Sequence, residues 1–115
     1  MRYLSFLPLI ALVLLWTAGC GTPTVREVKI SLTEFSFTPA QIEAKSGEHL
    51  RLVLTNAGKL SHRFVSEDMK ASRDVAAGIT EIVDVVAPGA KGIYAFTCDV
   101  PGHEQAGMRG QLEVK

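Results

Sequence analysis

Gly92-Ile93-Tyr94-Ala95-Phe96-Thr97-Cys98-Asp99-Val100-Pro101-Gly102-His103-Glu104-Gln105-Ala106-Gly107-Met108 is the most informative stretch of this 115-residue chain. Its first part alternates: Tyr94, Phe96 and Cys98 fall on one face, Ile93, Ala95 and Thr97 on the other, the period of a β-strand. The alternation stops at Cys98, and Pro101-Gly102 marks a loop. Within that loop Cys98, His103 and Met108 follow one another at intervals of five residues. From Gly110 to Lys115 the alternation resumes, with Leu112 and Val114 on one face. A strand therefore delivers a cysteine into a loop that also carries a histidine and a methionine, and a second strand leaves it.

The segments upstream read in the same way. Val28, Ile30 and Leu32 alternate with Lys29, Ser31 and Thr33, and Phe35 and Phe37 are read as continuing that strand until Pro39. Gln41 to Ala44 is a short segment closed by Ser46-Gly47. His49 to Thr55 carries Leu50, Leu52 and Leu54 on one face, and Asn56-Ala57-Gly58-Lys59 has turn composition. A strand runs from His62 to Val65. Glu67 to Gly78 is polar and without period, which reads as a loop with room for one helical turn. Ile79 to Val86 is again a strand, ended by Pro88-Gly89. About seven short strands and no long helix indicate an all-β chain, a Greek-key β-sandwich. Phe35, Phe37, Leu52, Leu54, Phe64, Tyr94, Phe96 and the aliphatic residues are its expected core.

The loop residues are metal ligands by type. A thiolate, an imidazole and a thioether form a soft donor set, which selects copper over magnesium, calcium or manganese. A His-His-Cys plane with a weak axial Met is the geometry of blue-copper sites. The loop lacks one imidazole, and His62, opening its own strand, is the candidate to supply it. His49 opens a strand on its polar phase and reads as a surface residue; Met69 sits in the polar 67–78 segment. Zinc is the competing metal, but Met is not among its usual ligands. A Cys98–His103 nucleophile pair lacks any third orienting group or oxyanion donors, and no glycine-rich phosphate loop is present.

With Asn56, Ser61-His62-Arg63-Phe64 and the Gly92–Cys98 strand, the ligand loop resembles the cupredoxins of the plastocyanin–azurin class, its spacings being most similar to auracyanin and rusticyanin. About seven strands are read from the residues and the resemblance implies eight, a Greek-key sandwich of seven to eight strands, so a further strand is expected within 67–78. It implies one type 1 copper ion with His62, Cys98 and His103 as equatorial ligands and Met108 as the axial one. It also implies single-electron transfer rather than enzymatic turnover, with His103 as the electron port and Pro101 shaping its loop. Tyr94 matches a position whose hydroxyl ties down the neighbouring connection. Arg63 departs from the asparagine common after the first histidine in that class, which leaves the bracing of the ligand loop open. The binuclear copper centre of terminal oxidases needs two cysteines in this loop, and only Cys98 is there. A copper-binding or copper-delivery protein shares these ligands and stands as the alternative.

The amino terminus has a different character. Arg2 precedes an uncharged apolar run from Tyr3 to Cys20, which is the pattern of an export signal. Thr17-Ala18-Gly19-Cys20 resembles the lipobox of bacterial lipoproteins, with Thr17 where leucine is usual. Residues 1–19 are expected to be a signal peptide of the lipoprotein type, 20–27 a lipidated N-terminus and linker, and 28–115 the folded domain. An ordinary signal peptide or an uncleaved anchor are the alternatives. On the lipoprotein reading the protein is exported to the cell envelope, in the periplasm or on the outer face of a bacterial membrane, and is held there by lipid on Cys20. Cys98 is then a lone thiol in an oxidising compartment, where thiols normally pair as disulfides; a metal accounts for it. Twelve basic against twelve acidic residues leave no basic face for nucleic acid. The expected partners are a redox donor and acceptor, and the expected state is a monomer.

Overall fold

In the computed structural model, residues 19–115 are described. The expected signal segment therefore lies, apart from Gly19, outside the described residues. Nine strands make up the fold, and no helix occurs among the described residues. They are β1 (Val25–Thr33), β2 (Ser36–Thr38), β3 (Gln41–Ala44), β4 (His49–Asn56), β5 (His62–Ser66), β6 (Ala71–Val75), β7 (Thr80–Val86), β8 (Gly92–Thr97) and β9 (Arg109–Val114). One sheet has the order β2-β1-β4-β7 and the other β3-β9-β8-β5-β6. β1 runs parallel to β4, and β3 parallel to β9; the other ladders are antiparallel. The order of non-consecutive neighbours is that of a Greek-key sandwich. β1 already pairs with β4 at Val25↔His49, so residues 25–27 belong to the sandwich rather than to a linker.

Side-chain alternation is what builds the core. Leu50, Leu52 and Leu54 of β4 face Phe64 of β5 and Phe96 of β8, and all five are fully buried. Phe37, Phe64 and Phe96 form its aromatic centre. Phe64 and Phe96 stack at 5.1 Å, while Phe37 stands edge-on to them at 5.9 and 5.2 Å. Each such pair adds roughly 0.5–1.5 kcal/mol beyond the area it buries. The Phe96 ring fits because Gly110 lies opposite it across the β8–β9 ladder. A Cβ at Gly110 would run into that ring and into the Ala40 carbonyl.

Two expectations are corrected. Phe35 and Phe37 do not continue β1: the chain turns at Glu34-Phe35, and β2 folds back with Leu32 opposite Phe37. The sign was in the spacing, because Leu32 and Phe35 are three residues apart and an unbroken strand cannot put both on one face. Phe37 is consequently core, whereas Phe35 is 37 % exposed at the hairpin tip. The segment 67–78 does contain the further strand, β6, hydrogen-bonded along β5 at the edge of its sheet. Only its ends, Ala71 and Val75, point inward. Ser72, Arg73 and Asp74 are all exposed, so the alternation that betrays a strand is missing there.

Candidate metal centre

The topology brings three separated chain segments to one end of the sandwich. His62 opens β5 and Cys98 follows the last residue of β8, and these two strands are antiparallel neighbours. The loop from Cys98 to Met108 then returns into β9, which pairs with β8. His62 and Cys98 thus meet because a strand's start and its antiparallel neighbour's end share an edge. His103 is carried in by the loop.

Internal hydrogen bonds hold the loop in shape. The Cys98 N–H donates to the Met108 carbonyl at 3.1 Å, and the Met108 N–H to the His103 carbonyl at 3.1 Å. Further bonds run from His103 N–H to the Val100 carbonyl and from Ala106 N–H to the Gly102 carbonyl. Gly102 and Gly107 adopt φ of +86° and +103°, a region that side chains with a Cβ resist. Pro101 lies exposed at the start of this turn. The Arg109 guanidinium caps the Glu104 carbonyl from outside at 3.2 Å.

The donor atoms converge. The Nδ1 atoms of His62 and His103 face each other at 3.1 Å, and Cys98 Sγ lies 3.5 Å from His103 Nδ1. The ligand atoms of the three residues all fall within 4.8 Å of one another. Cys98, His62 and Met108 are fully or almost fully buried, and His103 is 8 % exposed. A metal with nitrogen ligands at about 2.0–2.1 Å and sulfur at about 2.3 Å spans donor–donor edges of roughly 3.3–3.6 Å. The 3.5 Å sulfur–nitrogen spacing falls in that range and the 3.1 Å nitrogen–nitrogen spacing just below it. Two imidazole nitrogens and a sulfur turned toward one buried point make a donor set that fits a bound cation. Burial pushes the His62 pKa below the ordinary histidine value, with Glu34 pulling the other way; the neutral ring is the form that can ligate. The soft donor set, on this fold, supports copper as that cation.

The surroundings of the site answer the question raised by Arg63. Its backbone N–H donates to Cys98 Sγ at 3.3 Å, a bond that any residue but proline can make. Its guanidinium joins Asp74 of β6 at 2.6 Å and Asp99, next to the cysteine, at 3.5 Å. The loop is therefore braced by charge instead of by an amide. Tyr94 donates from its hydroxyl to the Ala90 carbonyl at 2.7 Å, tying down the connection before β8. Asn56 is fully buried: its side-chain N–H groups reach the Leu60 and Val75 carbonyls, and its Oδ1 accepts from Gly58. It fixes the turn that leads into His62.

Two neighbours of the site were missed in the sequence. Phe35 packs edge-on against the His103 ring with centroids 4.8 Å apart. The Glu34 carboxylate accepts from the Lys59 and Leu60 N–H groups, both at 2.8 Å, and lies 3.4 Å from His62 Nε2. The Leu60 bond is the largest influence holding its pKa below the carboxylate norm. Both residues sit at the β1–β2 turn, which was read as strand; recognising the parity break would have placed them at an end of the sandwich. Cys20 is exposed and Cys98 buried, and both are free thiols, so no disulfide joins them. His49 is half-buried at the start of β4 and outside the donor cluster. Met69 is buried and packs in the core.

The sequence model of the cupredoxin-like domain family matches residues 6–114, and the chain belongs to that family. Two curated relatives carry the name copper-resistant cuproprotein CopI. The one from Rubrivivax gelatinosus is 29 % identical over 84 % of this chain and 71 % of its own length. The one from Pseudomonas aeruginosa is 30 % identical over 78 % of this chain and 76 % of its own length. Among solved structures, auracyanin B superposes with a TM-score of 0.70 at 20 % identity, covering 83 % of this chain and 91 % of its own. Auracyanin A from Chloroflexus aurantiacus, described as a blue copper protein, gives 0.69 at 18 % identity over 80 % of this chain and all of its own. These structures establish the shared fold.

Proposed function

We propose that this protein is a single-electron carrier with a mononuclear type 1 copper centre, whose ion would be held by His62, Cys98, His103 and Met108. The convergence of the two Nδ1 atoms and Cys98 Sγ inside a buried, backbone-clamped pocket carries this reading. Copper would supply a one-electron cycle between its two common oxidation states. The chain's own part is to change little while that happens. His62 is set on a strand, Cys98 is tied to Met108 and Arg63 through backbone N–H groups, and His103 is fixed by its own N–H and carbonyl. The Arg63 N–H steadies negative charge on the sulfur. His103 is the most exposed of the four donors, so its ring edge is the natural route for an electron to and from donor and acceptor proteins. The protein works as a monomer in the bacterial cell envelope, tethered through lipid on Cys20, and does not itself turn over a substrate.

The relatives named for copper resistance favour a second reading, in which the same site binds or delivers copper without carrying electrons. Adding Cu(II) to the purified domain separates the two. An intense visible absorption band from the Cu–thiolate bond should appear, vanish with ascorbate and return on reoxidation. A colourless complex, or one that cannot be cycled, would leave the binding or delivery role.

A further inference from the structure

We propose that Glu34 is the positioning residue for the His62 ligand, fixing its tautomer through a carboxylate–imidazole contact and setting the balance of the site between Cu(II) and Cu(I). The inference rests on the copper-site reading above. Nδ1 of His62 points at the other donors, so in the neutral ring the proton must reside on Nε2 for Nδ1 to offer its lone pair. Nε2 is buried and has no partner of full hydrogen-bond geometry. The group it faces is Glu34 Oε1, 3.4 Å away. That same oxygen is held by the N–H groups of Lys59 and Leu60. One carboxylate thus orients the ring and pins the turn that carries it, the arrangement by which outer carboxylates fix ligating histidines.

Gly58 is part of the device. Its backbone has ordinary angles, yet a Cβ there would overlap the Glu34 carboxylate. The glycine leaves the space that lets the carboxylate reach both the turn and the ring. This contact also places a formal negative charge one imidazole away from the metal position, which favours the more highly charged ion.

The test uses the wild type with Glu34→Gln, Glu34→Ala and Gly58→Ala. Glu34→Gln keeps an acceptor oxygen for the turn, and so separates charge from folding. Long-range nitrogen–proton NMR of the copper-free proteins at neutral pH should show His62 protonated on Nε2 in the wild type and in Glu34→Gln. The preference should be lost in Glu34→Ala and Gly58→Ala. In the copper-loaded proteins Glu34→Gln should lower the ratio of Cu(II) to Cu(I) affinity by about tenfold, a rise of about 59 mV in reduction potential for a one-electron couple. An unchanged tautomer in both alanine variants, or an unchanged potential in Glu34→Gln, would overturn the proposal. A wild type that never colours with Cu(II) would instead sink the electron-carrier reading, and the tautomer measurement would still decide the role of Glu34.

Discussion

Asn56→Ala is the substitution whose cost the structure defines most fully. Asn56 is fully buried at the end of β4, and its amide satisfies three backbone groups: the Leu60 carbonyl at 2.8 Å, the Val75 carbonyl at 2.9 Å and the Gly58 N–H at 3.0 Å. Alanine leaves all three without that partner. The Val75 carbonyl is the most enclosed and loses the most, about 1–3 kcal/mol for a buried group left unsatisfied. The two groups on the turn can recruit water and lose about 1 kcal/mol each. The sum, roughly 3–5 kcal/mol, is a large share of the 5–15 kcal/mol typical of a domain. At about 4–8 °C per kcal/mol for a domain of this size, the midpoint should fall by roughly 12–40 °C. Thermal unfolding of the copper-free protein, followed by circular dichroism at neutral pH, measures it. Asn56→Asp should do no better, since it keeps the acceptor for Gly58 but sets a carboxylate against two carbonyls. A loss below about 1 kcal/mol in Asn56→Ala would refute the argument that this amide is what fixes the turn ahead of His62.

Gly110→Ala should cost about 1–3 kcal/mol, read from urea midpoints, because its Cβ meets the buried Phe96 ring and a backbone carbonyl that cannot move aside; a neutral result would mean the β8–β9 ladder shifts freely. Acid should weaken the copper-free protein through His62. Its folded pKa lies below the unfolded value of about 6.5 because burial disfavours the charged ring. The unfolded chain therefore binds more protons, and the stability is full above about pH 6.5 and is lost as pH falls toward the folded pKa. The midpoint should drop as pH falls below about 6.5 in the wild type, and the slope should lessen in His62→Gln; equal slopes in the two proteins would assign the effect elsewhere.

Much of this protein was legible in its sequence because its strands are mostly half-buried and its key loop is local. The alternation of Leu50, Leu52 and Leu54, and of Tyr94, Phe96 and Cys98, follows from a two-residue side-chain period that needs no partner to be read. The donors Cys98, His103 and Met108 lie within one loop, so their types and spacing alone pointed to a soft metal. His62 was reachable too, as a histidine opening a strand. Pairing was not legible in this way. That β1 runs parallel to β4 and β3 parallel to β9 is settled by which faces fit together across the sandwich, a long-range matter. β6 escaped because an edge strand with three successive exposed residues has no periodic signature. The site's outer layer was likewise decided in three dimensions. Glu34, Phe35 and Gly58 stand far from the ligand loop in the chain, and only the hairpin at Glu34-Phe35 and the turn before β5 bring Glu34 and Phe35 against the two histidines and Gly58 against Glu34. The sequence chose the donor atoms; the packing of the two sheets decided how far apart they stand, which ring nitrogen faces inward, and what charge stands behind it.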